Sequence, residues 1–288
     1  MKNGISIVIP TFRRAGKLIN LMTSIQNLDV TNIDFEVLVV SNLEDIETEE
    51  VVMHFSNQFN IRYLVSNAVG VNLARNMGLK LARYDVCAFL DDDCELTNKS
   101  WLQNIAFHFE SDKLLTGIGG YYLLSERVNL LGITYHIKMK TWLQYFKSSQ
   151  GHAHRLVGGC LILKKSMLAG MAFDPLIKFG GAETSLVLQL NEAGKNLKLF
   201  EELSVKHNSN LGLFEFFKKI YLQGKFHQKM ALSRPTELTF FENNFFEIEN
   251  ENIRSLNLSQ SKLFAVKILL KVHRWIFYGV PRYLQPWI

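Results

Sequence analysis

A chain of 288 residues, 48% hydrophobic and 20% charged, can build one large core with an appended smaller unit, and is too apolar for wholesale disorder. Its formal net charge of +5 suits phosphorylated ligands, anionic lipid or nucleic acid equally, so charge alone selects no partner. Three cysteines, Cys87, Cys94 and Cys160, are odd in number and lack metal-site spacing, which points to a reduced, cytosolic setting.

The opening Met1-Lys-Asn-Gly-Ile-Ser-Ile-Val-Ile-Pro10 holds too short an apolar stretch for a signal peptide. No window reaches the ~18 uncharged apolar residues that a spanning helix needs, so the expectation is a chain not integral to a membrane. Residues 5–9 then read as a first strand, closed by Pro10, Thr11, Phe12 and Arg13. A helical pattern over 17–27 leads to a second strand, 35–40, which ends in Ser41 and Asn42. A helix over 47–59, a strand over 61–65, a turn shaped by Asn67 and a helix over 71–83 follow. On that last helix Val71, Ala74, Met77 and Leu81 can face the sheet, with Arg75 at a different angle. Strand–helix alternation at this spacing predicts an α/β fold, a mostly parallel sheet with helices on both faces.

The next strand, 86–90, runs straight into Asp91-Asp92-Asp93. Ligands of open α/β sheets sit just beyond the carboxyl ends of such strands, and carboxylates with a divalent cation suit phosphate oxygens. An isolated acidic triplet can equally be a solvated turn that opens a helix. Neither common phosphate cradle is present: the first strand lacks G-x-G-x-x-G after it, and the P-loop pattern is absent. Later strands are expected at 114–124 and 156–163, where Gly-Gly pairs signal bends or close backbone approach. From about Gly212 the periodicity turns helical, with an acidic, irregular interval expected over 237–251.

Four segments in order carry a resemblance: Ile7-Val-Ile-Pro-Thr-Phe-Arg13, Gly70-Val-Asn-Leu-Ala-Arg-Asn76, Leu90-Asp-Asp-Asp93 and Gly180-Gly-Ala-Glu-Thr184. Together, over roughly residues 4–208, they resemble a family 2 glycosyltransferase of the GT-A fold. The resemblance implies transfer of a sugar from a nucleotide diphosphate donor, with inversion at the anomeric carbon and a need for Mg²⁺ or Mn²⁺. Asp93 would bind the metal that bridges the donor phosphates. Asp91 and Asp92 would complete the donor site, Asp91 at the ribose or, through water, at the metal. Pro10, Thr11 and Arg13 match positions that wrap the nucleobase and ribose; a strand-ending turn with a solvated arginine explains Arg13 as well. Arg75 suits phosphate or a base carbonyl through its fixed fork of donors. Ser41 and Asn42 stand where the family carries an acidic residue that reads the base, which leaves UDP expected by family frequency and GDP open. Asn67 is assigned to the donor side, although a turn-shaping role accounts for it too.

Glu183 occupies the second position of the family's Glu-Asp pair, whose first is Ala182 here, and would be the catalytic base. A dipole-complementing carboxylate in the first turn of a helix is the alternative. His207, in Val205-Lys-His207, is placed to be a further metal ligand or simply a hydrogen-bonded histidine. His152 and His154 could line the acceptor side, and the acceptor contacts are expected from variable loops over 125–155.

The expected division is a catalytic domain over 1–211, with a nucleotide-binding half (1–95) and an acceptor-side half (96–211), and a helical extension over 212–288. In that extension Lys267, Lys271 and Arg274 fall on one side of a helix, beside aromatics. They suit an in-plane membrane helix serving a lipid-linked acceptor at the inner face of the membrane. They suit equally a helix packed within the protein or against a second subunit of a homo-oligomer. No RNA- or DNA-binding motif appears. The reading is an inverting, metal-dependent glycosyltransferase acting on a saccharide or lipid-linked saccharide. The alternative is a non-catalytic nucleotide-sugar-binding or scaffold protein on the same fold.

Overall fold

The computed structural model describes residues 4–126, 128–177, 181, 183–207, 210–233 and 243–279. By compactness the chain divides into two units: Met1–Leu123 with Lys147–Lys178 and Ala182–His207, and Leu124–Phe146 with Phe179–Gly181 and Asn208–Ile288.

In the first unit β1 (Gly4–Thr11), α1 (Ala15–Gln26), β2 (Asp34–Ser41), α2 (Ile46–Phe55), β3 (Ile61–Val65), α3 (Val71–Leu81) and β4 (Val86–Phe89) alternate as the periodicity predicts. They are followed by β5 (Cys94–Glu95), α4 (Trp101–Ser111), β6 (Leu115–Gly119) and β7 (Tyr122–Leu124). The second unit then opens with α5 (Leu130–Tyr145), and the chain returns to the first through β8 (Leu161–Lys164), α6 (Thr184–Glu192), β9 (Asn196–Leu199) and β10 (Val205–His207).

Among the described residues the main sheet has seven strands in the order β3-β2-β1-β4-β8-β6-β9. The pairs β1–β2, β2–β3, β1–β4 and β6–β9 are parallel, whereas β8 runs antiparallel between β4 and β6. Successive side chains of a strand point to opposite faces, and Ile5–Thr11 are all buried, so β1 is covered on both. A smaller sheet, β5-β10-β7, stands beside the triple carboxylate.

Helix α3 departs from the expected face. Its buried residues are Asn72, Ala74, Arg75, Gly78 and Leu79, while Leu81 is exposed. The cause is Gly78: a Cβ there would collide with Val8, so the helix seats on β1 through its glycine and turns Arg75 inward. The expected strand over 114–124 is two strands in different sheets, broken at Gly119-Gly120, where a Cβ on Gly120 would strike the Leu203–Ser204 backbone.

The second unit adds α7 (Leu213–Ser233), α8 (Asn243–Arg254) and α9 (Gln260–Arg274), the last continued by a π turn over Trp275–Gly279. Its core joins Ile133 and Ile137 of α5 to Ile253, Val266 and Leu270. Two expectations are corrected here. The interval expected to be irregular forms α8 from Asn243 onward; its earlier part, 237–242, lies outside the described residues. Buried Phe245, Glu249, Asn252 and Ile253 recur at helical spacing among the acids. The variable stretch over 125–155 contains the 16-residue α5, whose buried positions run almost all round, so no one-sided period marks it. The sequence division at 211/212 and the compact units differ chiefly by Leu124–Phe146, which carries this helix and groups with the C-terminal ones.

Candidate functional site

Strand β1 has β2 on one side and β4 on the other, both parallel to it, so the connections diverge from it to left and right. The carboxyl ends of the strands at such a switch point form a crevice that binds ligands. Thr11 ends β1, and Asp91, Asp92 and Asp93 follow β4 at the same edge.

The three carboxylates face different partners. Arg75 Nη2 donates to Asp91 Oδ1 at 2.8 Å, and Tyr122 Oη donates to Asp91 Oδ2 at 3.4 Å. Thr11 Oγ1 donates to Asp92 Oδ2 at 2.8 Å. Arg14 spans two carboxylates, with Nη1 2.6 Å from Asp92 Oδ1 and Nη2 2.5 Å from Asp93 Oδ2. Lys17 Nζ lies 3.5 Å from the same Asp93 oxygen, and His207 Nε2 lies 3.4 Å from the other one, Oδ1.

Local chain geometry explains these placements. Arg13 has φ of 53°, a left-handed conformation that costs a non-glycine residue about 1–2 kcal/mol. That turn sends the exposed Arg13 outward over the Phe12 ring and delivers Arg14, the N-cap residue of α1, to the carboxylates. His207 pairs with Cys94 across the antiparallel β10–β5 ladder, which sets its imidazole beside the residue before Cys94, Asp93. The Gly158-Gly159 pair makes room: a Cβ on Gly158 would stand 2.5 Å from Arg75 Nη2, and one on Gly159 would stand 2.7 Å from Asp91 Oδ2. The Gly159 amide in turn donates to Tyr122 Oη at 3.0 Å.

Arg75 is 3% exposed, and its Nε and Nη1 lack hydrogen-bond partners among the described residues. Its guanidinium lies over the Phe173 ring, whose backbone Asn76 clasps in both directions at 2.7 and 3.0 Å. Asn76 therefore fixes the floor under Arg75.

Electrostatics separate the two inner carboxylates. Burial lifts the Asp92 carboxyl to about 7, an effect that Arg14 offsets only in part and that Asp93 reinforces. Burial also opposes ionisation of Asp93, but His207, Arg14 and Lys17 outweigh it and hold that carboxyl down at about 2. Asp93 is thus ionised throughout the neutral range, as a metal ligand must be.

Asp91, Asp93 and His207 can each offer one ligand atom, all within 4.8 Å of one another. Two hard carboxylate oxygens and an imidazole nitrogen fit Mn²⁺ or Mg²⁺.

The other expected residues fall into separate groups. Pro10 is buried in β1. Ser41 is buried and its Oγ donates to Leu43 O at 2.5 Å. Asn42 accepts from the Gly70 amide at 2.9 Å, tying the loop after β2 to the start of α3. Asn67 is exposed in the bend before that helix. Glu183 is the half-buried N-cap residue of α6, and its side chain makes no capping bond to that helix. His152 Nε2 lies 2.7 Å from Asn191 Oδ1, within the scaffold around β9.

Sequence reasoning missed Arg14, Lys17 and Tyr122. A basic pair at the start of the first helix was a signal for the first two. Nothing local distinguishes Tyr122, which reaches Asp91 only through the pairing of the small sheet.

A model of glycosyl transferase family 2 matches residues 6–170. Chondroitin synthase of Escherichia coli is 36% identical over 105 residues, 35% of this chain and 15% of that protein. Hyaluronan synthase of Pasteurella multocida is 32% identical over 119 residues, 40% of this chain and 12% of that protein. The matched segments thus span a small fraction of these curated relatives. Among solved structures, a mannosyltransferase of Pyrobaculum calidifontis, in complex with GDP-Man and Mn²⁺, aligns with a TM-score of 0.65 at 12% identity, over 100% of this chain and 88% of that one. Residues 1–349 of TarS from S. aureus, in complex with UDP-GlcNAc, align with a TM-score of 0.60 at 15% identity, over 98% of this chain and 78% of that one. The architecture is the GT-A fold.

Proposed function

From the premise that the chain belongs to glycosyl transferase family 2, we propose that it moves a sugar from a nucleotide diphosphate donor, a UDP-sugar, to a saccharide or lipid-linked saccharide hydroxyl with inversion. The observation that carries this reading is the convergence of Asp91, Asp93 and His207 at the switch point of the sheet. Solved relatives of the fold that hold UDP-GlcNAc, or GDP-Man with Mn²⁺, support a donor of this class.

Asp91, Asp93 and His207 would hold the divalent cation, which supplies Lewis-acid neutralisation of the departing diphosphate. Arg14 and Lys17, already beside Asp93, add positive charge on the same edge. Thr11 and Arg75 hold Asp92 and Asp91 in place, so the carboxylates do not reorganise when the donor arrives. The acceptor oxygen forms a bond to the anomeric carbon as the bond to the diphosphate oxygen breaks. The hydroxyl proton passes to the Glu183 carboxylate, and the bonding electrons leave with the nucleotide.

Calorimetric titration of UDP with Mn²⁺, and then with EDTA, tests the donor site. Binding that requires the metal supports the reading and directs a screen of UDP-sugars for turnover. Failure of both UDP and GDP to bind would replace it with the non-catalytic scaffold reading.

A further inference from the structure

Helix α9 is apolar on two sides. Its inner side buries Val266, Leu270 and His273. At ~100° per residue, Phe264, Ile268 and Trp275 fall within roughly 40° of one another on the opposite side. They are 69%, 45% and 66% exposed. Lys267 and Lys271, also exposed, lie on the same side at the flank of this stripe. Arg274 stands beyond the lysines on the same flank, over the Phe246 ring of α8 at 5.4 Å. Isolated exposed apolar residues are ordinary, but aligned aromatics alternating with lysines are not.

We propose that this face of the second unit docks on an anionic lipid bilayer, with α9 lying in the plane of the interface. The charge distribution decides the occupant. The 15 residues of α9 contain no aspartate or glutamate. Two antiparallel copies joined by a twofold axis across the stripe would bring Lys267 and Lys271 of each to the same edge as those of the other, with no acid on α9 to answer them. Lipid headgroup phosphates answer them directly. Lysine stems lie along apolar surface while their ammonium groups reach outward, and Phe and Trp settle at the acyl–headgroup boundary. Among the described residues no helix is long and apolar enough to cross a membrane. The proposal does not depend on the transfer reaction.

The test is flotation of the full chain with phosphatidylcholine vesicles, with and without phosphatidylglycerol. Two surface variants, Phe264→Ser with Trp275→Ser, and Lys267→Glu with Lys271→Glu, are compared at equal thermal stability. The wild type is expected to float with the anionic vesicles only, and each variant to lose at least ~10-fold in partitioning. Three results would each overturn the proposal: no flotation of the wild type, variants that float as the wild type does, or variants that change only the oligomeric state in sedimentation velocity.

Discussion

Arg14 holds Asp93 by one carboxylate oxygen and leaves the other to His207. The guanidinium lies 2.5 Å from Oδ2, and the imidazole Nε2 lies 3.4 Å from Oδ1. A resident cation therefore neutralises the carboxylate proposed to hold the metal, while the oxygen facing His207 stays free of Arg14.

Two cations on one carboxylate repel, and at an effective dielectric constant near 20 the repulsion amounts to several kcal/mol before solvent screening. Arg14→Gln is expected to bind Mn²⁺ at least ~10-fold more tightly in the absence of nucleotide. Calorimetry with the metal alone measures this. Weaker binding would show that Arg14 orients Asp93 rather than competing for it.

Glu183 sits at the N-cap of α6 without capping it. Replacing it with Gln removes the proposed proton acceptor and preserves shape. Transfer should fall by at least ~100-fold with UDP affinity unchanged, within the range typical of general-base loss. Equal turnover by the variant in a single-turnover assay would remove Glu183 from the mechanism.

Gly159→Ala places a methyl group 2.7 Å from both Asp91 Oδ2 and Tyr122 Oη. The expected outcome is a loss of about 1–3 kcal/mol of stability, as for other overpacked sites. Weaker Mn²⁺ binding in the presence of UDP should accompany it. Denaturant midpoints and metal titrations read the two effects separately.

His273 is buried against Lys138 and Arg274. Burial first, and those two cations second, hold its pKa well below the usual histidine value of 6.5. The folded state thus binds fewer protons than the unfolded one just below pH 6.5. Its contribution is fully present above that pH and is lost as pH falls. Stability of the wild type should decline from pH 7.5 to 5 by up to ~1.4 kcal/mol per unit from this group, and His273→Leu should flatten that slope. Parallel slopes in denaturation at the two pH values would contradict the assignment.

The first four strands, the helices between them and the edge at which the carboxylates lie were legible in the sequence. Short β-branched runs separated by helical periods leave few other arrangements, and a triple carboxylate after a fully apolar strand marks its carboxyl end. The glycine pairs were legible as places of close approach, though not what approaches them. Helix α5 was not legible, because apolar and polar residues spread round it without a period. The inward turn of Arg75 was not, because a single glycine at position 78 overrode the apolar pattern of α3.

By itself the sequence determined the class of fold and the residue types at the site, since both follow from patterns local to the chain. Only the tertiary structure decided that Arg14, not Arg13, meets the carboxylates, and that Tyr122 stands beside Asp91. The first depends on one left-handed residue, and the second on the pairing of short strands remote in sequence. The register of such strands is set by what they pack against, which no local pattern records.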